Sequence, residues 1–174
     1  MEQTHNNKYK VSLDLPYPPV RTESRRTDYA YAMLSNMGSS NSEMSAVSLY
    51  FYNSVILNPG NSDFAHCFHE ISIVEMHHLN LFASLAFQMG LEPRLWSMEK
   101  RRRCYWTPAY NLYPQNVRAI IENSIKGEEA AIRKYAGQAN TICDTSIVAL
   151  LNRIILDEQR HIEIFHSMLA DIAQ

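Results

Sequence analysis

Two copies of one pattern, a glutamate followed about thirty residues later by Glu-x-x-His, contain the residues best suited to chemistry. On a helix, residues three positions apart lie on the same face, so each Glu-x-x-His directs a carboxylate and an imidazole toward one point. Oxygen donors combined with imidazole suit iron or manganese, and zinc can occupy the same donors adventitiously. The pattern therefore predicts a metal site built from Glu43, Glu75, His78, Glu128, Glu158 and His161.

The two copies also agree at neighbouring positions. Alanine lies three residues after each lone glutamate, tyrosine seven residues after it, and phenylalanine four residues after each histidine: Ala46 and Ala131, Tyr50 and Tyr135, Phe82 and Phe165. Tyr50 and Tyr135 are candidates to hydrogen-bond the ligand carboxylates or to act as redox groups near the metals. The alternative is that both rings pack in the core with their hydroxyls satisfied.

Four segments in which apolar residues recur at helical spacing must position these side chains. They cover approximately residues 28–57, 63–89, 115–140 and 145–172. The glycine and serines at 38–40 weaken the first helix, so a start near Ser39 or Ser42 is the alternative. Short connections within each pair require antiparallel helices, and the long segment 90–114 fits a crossover that runs along the bundle. The expected fold is all-α, a four-helix bundle made of two antiparallel hairpins joined by this crossover.

The distances from the hairpin turns predict that the six side chains lie at one depth in the bundle. Glu43 is 17 residues before Gly60, whereas Glu75 and His78 are 15 and 18 residues after it. The second copy has similar spacing about its own turn near residue 144. Four carboxylates buried at one level would repel one another and resist desolvation. Two divalent ions, with four positive charges, are therefore expected between them.

Residues 1–27 are expected to form an extended arm, and residues 28–174 are expected to form the bundle domain. Pro16, Pro18 and Pro19 exclude a helix in the arm. Four apolar residues alternate along it: Val11, Leu13, Leu15 and Tyr17. The arm is expected either to lie along the bundle or a neighbouring subunit, or to be loosely ordered.

Composition argues against several other classes of function. The 174 residues are 46% hydrophobic, enough for one domain with a sizeable core, and their net charge of −2 gives no general attraction to nucleic acid or membranes. No apolar segment approaches the roughly 20 residues needed to span a bilayer, and no signal peptide is apparent, which predicts a cytoplasmic protein. Cys67, Cys104 and Cys143 contain no Cys-x-x-Cys, which argues against a disulfide framework or a cysteine-rich metal site.

With its doubled motif, the chain resembles the ferritin-like dinuclear-metal carboxylate proteins, particularly the rubrerythrins and manganese catalases. The resemblance covers residues 28–172. It implies that the six motif residues bind two divalent ions, iron or manganese, with one glutamate from each half bridging them. It also implies an oxidoreductase that reduces or disproportionates hydrogen peroxide, or reacts with dioxygen. Since the sequence lacks the rubredoxin module of rubrerythrins, a peroxidase would need an external electron donor, whereas disproportionation would supply its own electrons.

Two other functions are compatible with the same motif. One is an iron-binding or ferroxidase-type protein, and the other is a structural or coat component that the metals stabilise. The expected assembly is a homodimer. Glu129 is the alternative to Glu128 as a ligand, although Glu128 shares the apolar face of its helix. Asp157 either accepts the free ring N–H of a ligand histidine or lies on the surface.

Overall fold

The computed structural model describes residues 9–173, which contain five α-helices and one two-stranded sheet. The helices are α1 Thr27–Gly38, α2 Glu43–Leu57, α3 Ser62–Gln88, α4 Val117–Ala139 and α5 Thr145–Asp171. Short connections make α2 with α3, and α4 with α5, antiparallel hairpins that pack extensively within each pair. The predicted all-α fold with a bundle of two helix hairpins is therefore confirmed.

The first predicted helix, residues 28–57, is interrupted rather than continuous. It ends at Gly38, and a new helix starts at Glu43 with Ser42 as its N-cap, which agrees with the alternative start near Ser42. The physical reason lies in the crossover, because a Cβ atom added at Gly38 would lie 2.6 Å from the backbone nitrogen of Trp96. Only glycine lets the two backbones approach so closely.

Lys134 of α4 ties the two sides of this interruption together. Its Nζ donates to the carbonyl of Ser35 at 2.9 Å and to that of Asn41 at 2.8 Å. It also donates to the hydroxyl of Ser39 at 3.1 Å. The lysine therefore adds a charged donor to two carbonyls, one on each side of the break, each of which also accepts a hydrogen bond from Ser39.

The crossover contains a β-hairpin that the periodicity did not predict. Strand β1, Trp96–Glu99, pairs antiparallel with β2, Arg102–Tyr105, and a short 3-10 helix follows at Pro108–Tyr110. Lys100 and Arg101 form the turn with φ angles of 47° and 64°, positions at which Asn-Gly is the usual signal. The sequence contains no hairpin signal in the crossover, because the turn uses residues that rarely adopt this conformation.

The core consists of two apolar clusters at opposite ends of the bundle. One joins α1 to the C-terminal half of α3 and the N-terminal half of α5, with Met33, Leu85 and Ile147 fully buried. The other joins α2 to the remaining halves and includes Phe68 and Phe165, whose rings stack at 5.2 Å. The buried polar residues of the predicted motif lie between the two clusters, in the middle of the bundle.

The part of the arm that the structure describes, residues 9–26, lies along α5 and runs antiparallel to it. The hydroxyl of Tyr9 donates to Asp171 near the end of α5, at 2.8 Å. Arg160 donates to the carbonyl of Lys10 at 3.0 Å, and Arg153 donates to that of Leu15 at 3.0 Å. Of the alternatives, packing along its own bundle is the one observed, and residues 1–8 of the predicted arm lie outside the described residues.

Among the helices described, none has the length and hydropathy needed to cross a membrane.

Candidate metal centre

Four helices, α2 to α5, bring the six predicted residues to one point. All six residues are at most 2% exposed. They form two overlapping groups whose ligand atoms lie within 4.8 Å of one another: Glu43, Glu75, His78 and Glu158 in the first, and Glu75, Glu128, Glu158 and His161 in the second. Glu75 and Glu158 belong to both groups, one from each half of the chain. The depth predicted by counting from the turns is therefore the depth observed.

In the first group, Nδ1 of His78 faces the carboxylates. It lies 3.1 Å from Oε2 of Glu75, 3.4 Å from Oε1 of Glu158 and 3.9 Å from Oε2 of Glu43. The ring nitrogen that would carry a lone pair toward a cation thus faces three carboxyl groups.

The second group repeats this arrangement around His161. Its Nδ1 lies 3.0 Å from Oε1 of Glu75, 3.2 Å from Oε2 of Glu158 and 3.5 Å from Oε1 of Glu128. Glu75 and Glu158 therefore turn one oxygen toward each histidine. Two carboxylates that each present one oxygen to either side have the disposition required to bridge two ions.

Protonation limits the charge of this cluster in the absence of cations. Burial raises the pKa of Glu43 well above its usual range and raises that of Glu128 to about 8, with further contributions from neighbouring carboxylates. Burial disfavours charged imidazoles, but the surrounding carboxylates outweigh it and raise the pKa of His78 and His161. Although burial alone would act in the opposite direction, the two imidazoles hold the pKa of Glu75 well below its usual range. The bare cluster therefore retains protons.

Several buried polar atoms of the cluster make no well-aligned hydrogen bond within the described residues, although all except Nε2 of His161 have a charged neighbour within 3.4 Å. They are Oε1 of Glu75, both carboxylate oxygens of Glu158 and both ring nitrogens of His161. Buried polar atoms without partners cost free energy, so they indicate a missing group. Two divalent cations would satisfy the oxygens and the inward nitrogens, and the oxygen-rich donor set with one imidazole per ion suits iron or manganese. The residues present therefore fit a dinuclear site.

Tyr50 and Tyr135 support the cluster from the lone-glutamate side. The hydroxyl of Tyr50 donates to Oε1 of Glu128, and that of Tyr135 donates to Oε1 of Glu43. Each tyrosine therefore holds the lone glutamate of the other half. Both rings are also core residues, since Tyr50 lies 5.5 Å from the ring of Phe68. The hydrogen bonding and the core packing proposed as alternatives are present together.

The choice between Glu128 and Glu129 is clear from exposure. Glu128 is 2% exposed and lies in the cluster. The side chain of Glu129 is 50% exposed and lies 3.7 Å from Arg133 on the outer surface of α4. Glu128 is therefore the geometrically suitable candidate ligand.

Asp157 is fully buried rather than on the surface, and sequence reasoning missed two residues beside it. Its Oδ2 lies 3.3 Å from Nε2 of His78 and 2.8 Å from Nη1 of Arg153, and it accepts a hydrogen bond from the hydroxyl of Tyr17. A charged residue within the apolar segment around 150–156 was the available signal for Arg153. Nothing in the local sequence connects Tyr17 of the arm with α3 and α5.

A cavity of about 360 Å³ leads to the cluster between α2 and α4. Glu43, Glu128 and Glu158 line its inner end. Ala46 of α2 and Gly127 of α4 also line it. Alanine has only a methyl group and glycine has no side chain, so neither residue fills the space. The space far exceeds that of one water molecule, about 30 Å³ in the liquid, so small molecules have a route to the carboxylates.

The crossover forms the outer part of this cavity. Tyr110, Asn111 and Leu112 line it, and Asn111 is anchored by its side-chain amide, which donates to the carbonyl of Ser45 at 3.1 Å. The indole nitrogen of Trp106 donates to the hydroxyl of Ser45 at 3.0 Å. The crossover is therefore held against α2 beside the entrance.

This fold and this site define a ferritin-like helical bundle with a buried carboxylate and histidine cluster. The rubrerythrin family matches residues 37–169, and the chain belongs to that family. A comparison with curated proteins finds no significant match.

Solved structures of low sequence identity share the fold. A manganese catalase from Anabaena, KatB, superposes with a TM-score of 0.80 at 19% identity, covering 92% of this chain and 79% of its own. A second structure of the wild-type Anabaena enzyme gives a TM-score of 0.81 at 19% identity, with 92% and 80% covered. The bacterioferritin of Desulfovibrio desulfuricans, whose structure describes a diiron site, gives 0.70 at 24% identity, with 86% and 84% covered. At these identities the similarity establishes the fold alone.

We expect Glu128→Gln to lower the affinity for Mn²⁺ by at least about tenfold, because even partners outside the metal's own ligands contribute 10–100-fold. Glu129→Gln is the matched control and should bind Mn²⁺ as the unchanged protein does, since Glu129 faces solvent. Equilibrium dialysis with elemental analysis of the bound metal measures both. Loss of metal from the Glu129 variant, with the Glu128 variant unaffected, would contradict the assignment.

We expect the affinity of the metal-free protein for Mn²⁺ to rise as the pH increases toward about 8. The protons held by Glu43, Glu128 and the two imidazoles must leave before cations bind, so acid competes with the metal. Calorimetric titrations from about pH 6 to about pH 8.5, repeated in buffers of different ionisation enthalpy, measure both the affinity and the protons released. An affinity independent of pH would show that the cluster is already deprotonated.

Proposed function

We propose that this protein is a dinuclear iron or manganese oxidoreductase that acts on hydrogen peroxide, or on dioxygen, at the site formed by Glu43, Glu75, His78, Glu128, Glu158 and His161. One observation carries the proposal, namely that four carboxylates and two imidazoles are buried around a common centre beneath an open cavity. Without cations such a centre would only destabilise the fold, because burying carboxylate oxygens that lack well-aligned hydrogen bonds costs free energy.

When bound, two redox-active ions would share a two-electron change and stabilise negative charge on both oxygens of a small oxidant. The chain's own residues provide the geometry. Glu75 and Glu158, which belong to both groups, would hold the two ions at a fixed separation, and each histidine would complete one side. Burial of the cluster lowers the local dielectric and strengthens the electrostatic interactions within it.

Tyr50 and Tyr135 would hold the carboxylates of Glu128 and Glu43, the two glutamates that belong to only one group each. Each hydroxyl donates to one oxygen of a lone glutamate and so fixes the orientation of that carboxylate. Burial raises the pKa of both tyrosines well above the usual value, so their hydroxyls keep the protons with which they hold Glu128 and Glu43. The two tyrosines therefore act as fixed hydrogen-bond donors at the inner end of the cavity.

The source of electrons separates two versions of this activity. A peroxidase would require an external donor, whereas disproportionation uses one peroxide as the reductant of another. The similarity to a manganese catalase supports the second version, and the similarity to a bacterioferritin with a diiron site supports oxidation of ferrous iron as the competing function. A cytoplasmic location and assembly as a homodimer stay predictions from the sequence.

We expect the protein reconstituted with manganese or iron to consume hydrogen peroxide. Parallel assays of peroxide loss, with oxygen evolution in an electrode cell, separate the versions: disproportionation releases one dioxygen for every two peroxides, and a peroxidase releases none and requires an added reductant. Oxidation of ferrous iron by dioxygen without peroxide turnover would identify the ferroxidase alternative. If neither metal-loaded form consumes peroxide, the proposed activity is wrong.

The cavity provides a second test, because Gly127 lines it and an added Cβ would meet no atom within 4 Å. We expect Gly127→Leu to narrow the route to the cluster and lower kcat/KM for peroxide several-fold, with the metal content unchanged. Gly137→Leu is the matched control, since Gly137 is also a glycine of α4 with open space beside it but does not line the cavity. Both substitutions should stabilise the helix by about 0.5–1 kcal/mol, so unfolding cannot explain a difference. Equal activities would mean that substrate enters elsewhere.

A further inference from the structure

We propose that the N-terminal arm makes the two metal positions unequal, so that the position at Glu43 and His78 binds its ion more tightly and fills first. This inference rests on the proposed dinuclear site and adds an order of loading to it. It depends on a hydrogen-bonded support that exists behind His78 and that, among the described residues, has no equivalent behind His161.

The support behind His78 begins at the ring nitrogen that faces away from the cluster. Nε2 of His78 lies 3.3 Å from Oδ2 of Asp157 and 3.1 Å from the hydroxyl of Tyr17. When Nδ1 binds a cation, Nε2 carries the proton and can donate it to this buried carboxylate. A carboxylate acceptor fixes the orientation of a ligand imidazole and increases its basicity.

Arg153 and the arm hold Asp157 in place. Nη1 of Arg153 lies 2.8 Å from Oδ2 of Asp157, which balances the negative charge of a fully buried carboxylate. The other guanidinium nitrogens donate to the carbonyl of Leu15 at 3.0 Å and 2.9 Å, and the guanidinium lies 4.3 Å from the centre of the Tyr17 ring. The backbone N–H of Leu13 donates to Oδ1 of Asp157 at 3.4 Å. The support is therefore complete only when the arm lies on α5.

The second position lacks these groups. Nε2 of His161 is buried without a hydrogen-bond partner among the described residues. The internal repeat identifies the residues that could have supplied one, since Val74 precedes Glu75 as Asp157 precedes Glu158. Five residues before Glu75 the sequence has Glu70, which is the position equivalent to Arg153 and has the opposite charge. The near symmetry of the ligands thus does not extend to the groups behind the histidines.

The physical consequence is a difference in affinity. A metal-bound imidazole whose outer N–H is buried without an acceptor loses a hydrogen bond that the same ring in the other half makes. Partners of this kind are typically worth 10–100-fold in metal affinity. We therefore expect the two dissociation constants for Mn²⁺ to differ by about 10–100-fold, with the tighter one belonging to the position next to the arm.

Titration of the metal-free, full-length protein with Mn²⁺ tests this by calorimetry and by electron paramagnetic resonance. We expect two binding steps, and at one equivalent a signal from isolated Mn²⁺ rather than from an exchange-coupled pair. Asp157→Asn should weaken the first step by about 10–100-fold and bring the two constants together, and Tyr17→Phe should weaken it by a smaller factor. Tyr9→Phe is the matched control, because it removes a hydroxyl that also joins the arm to an aspartate of α5, but at the distant Asp171.

Each outcome decides between the inference and its alternatives. Two equal constants, a coupled pair at one equivalent, or a first step unaffected by both Asp157→Asn and Tyr17→Phe would overturn the inference while leaving a dinuclear site. A similar loss in Tyr9→Phe would show that the arm acts by general stability rather than through His78, and would also overturn it. If the unchanged protein binds no Mn²⁺ or Fe²⁺ at all, the proposed function itself is wrong. Thermal unfolding of the metal-free variants identifies any variant that has lost its fold, and the milder Tyr17→Phe then carries the test.

Discussion

Burial of four carboxylates at one level is the constraint on which the structure depends. Bare carboxylates in a bundle core would raise one another's pKa and take up protons, which is what the raised pKa values of Glu43 and Glu128 indicate for the cation-free cluster. The two imidazoles supply part of the balance, yet neither oxygen of Glu158 makes a well-aligned hydrogen bond within the described residues. The two apolar clusters at the ends of the bundle stabilise the fold. The layer of buried carboxylates between them is stable when positive charge balances it.

The repeat in the sequence produces a nearly symmetric inner arrangement and an asymmetric outer one. Across the centre, each tyrosine holds the lone glutamate of the other half, so the two hairpins depend on each other for the geometry of the cluster. Behind the histidines the symmetry ends. His78 meets Tyr17 and Asp157, which Arg153 holds, whereas Nε2 of His161 has no hydrogen-bond partner among the described residues. Duplication of a motif thus does not require that its two metal positions have the same properties.

The crossover and the N-terminal arm, which lie outside the four bundle helices, both contribute to the site. Gly38 allows the crossover to approach the end of α1, and the crossover in turn forms the outer wall of the cavity through Asn111 and its neighbours. The arm lies along α5 through Tyr9 and Tyr17, with one hydroxyl at the far end of the helix and the other beside His78. Access to the cluster and support of its ligands therefore both come from chain that shows little regular periodicity.

The sequence by itself determined the bundle and the common level of the six polar residues, because a 3.6-residue period and the distance from a turn are local quantities. It also predicted the exposed position of Glu129, from the apolar face that Glu128 shares. Only the tertiary structure decided the break before Glu43, the hairpin at Trp96–Glu99 and Arg102–Tyr105, and the contact of Tyr17 with Asp157. The break depends on a close approach between distant backbones, and the hairpin depends on a turn with unusual residues. The contact of Tyr17 depends on the path of the arm, which is 140 residues away in sequence from Asp157. None of these features leaves a periodic signal.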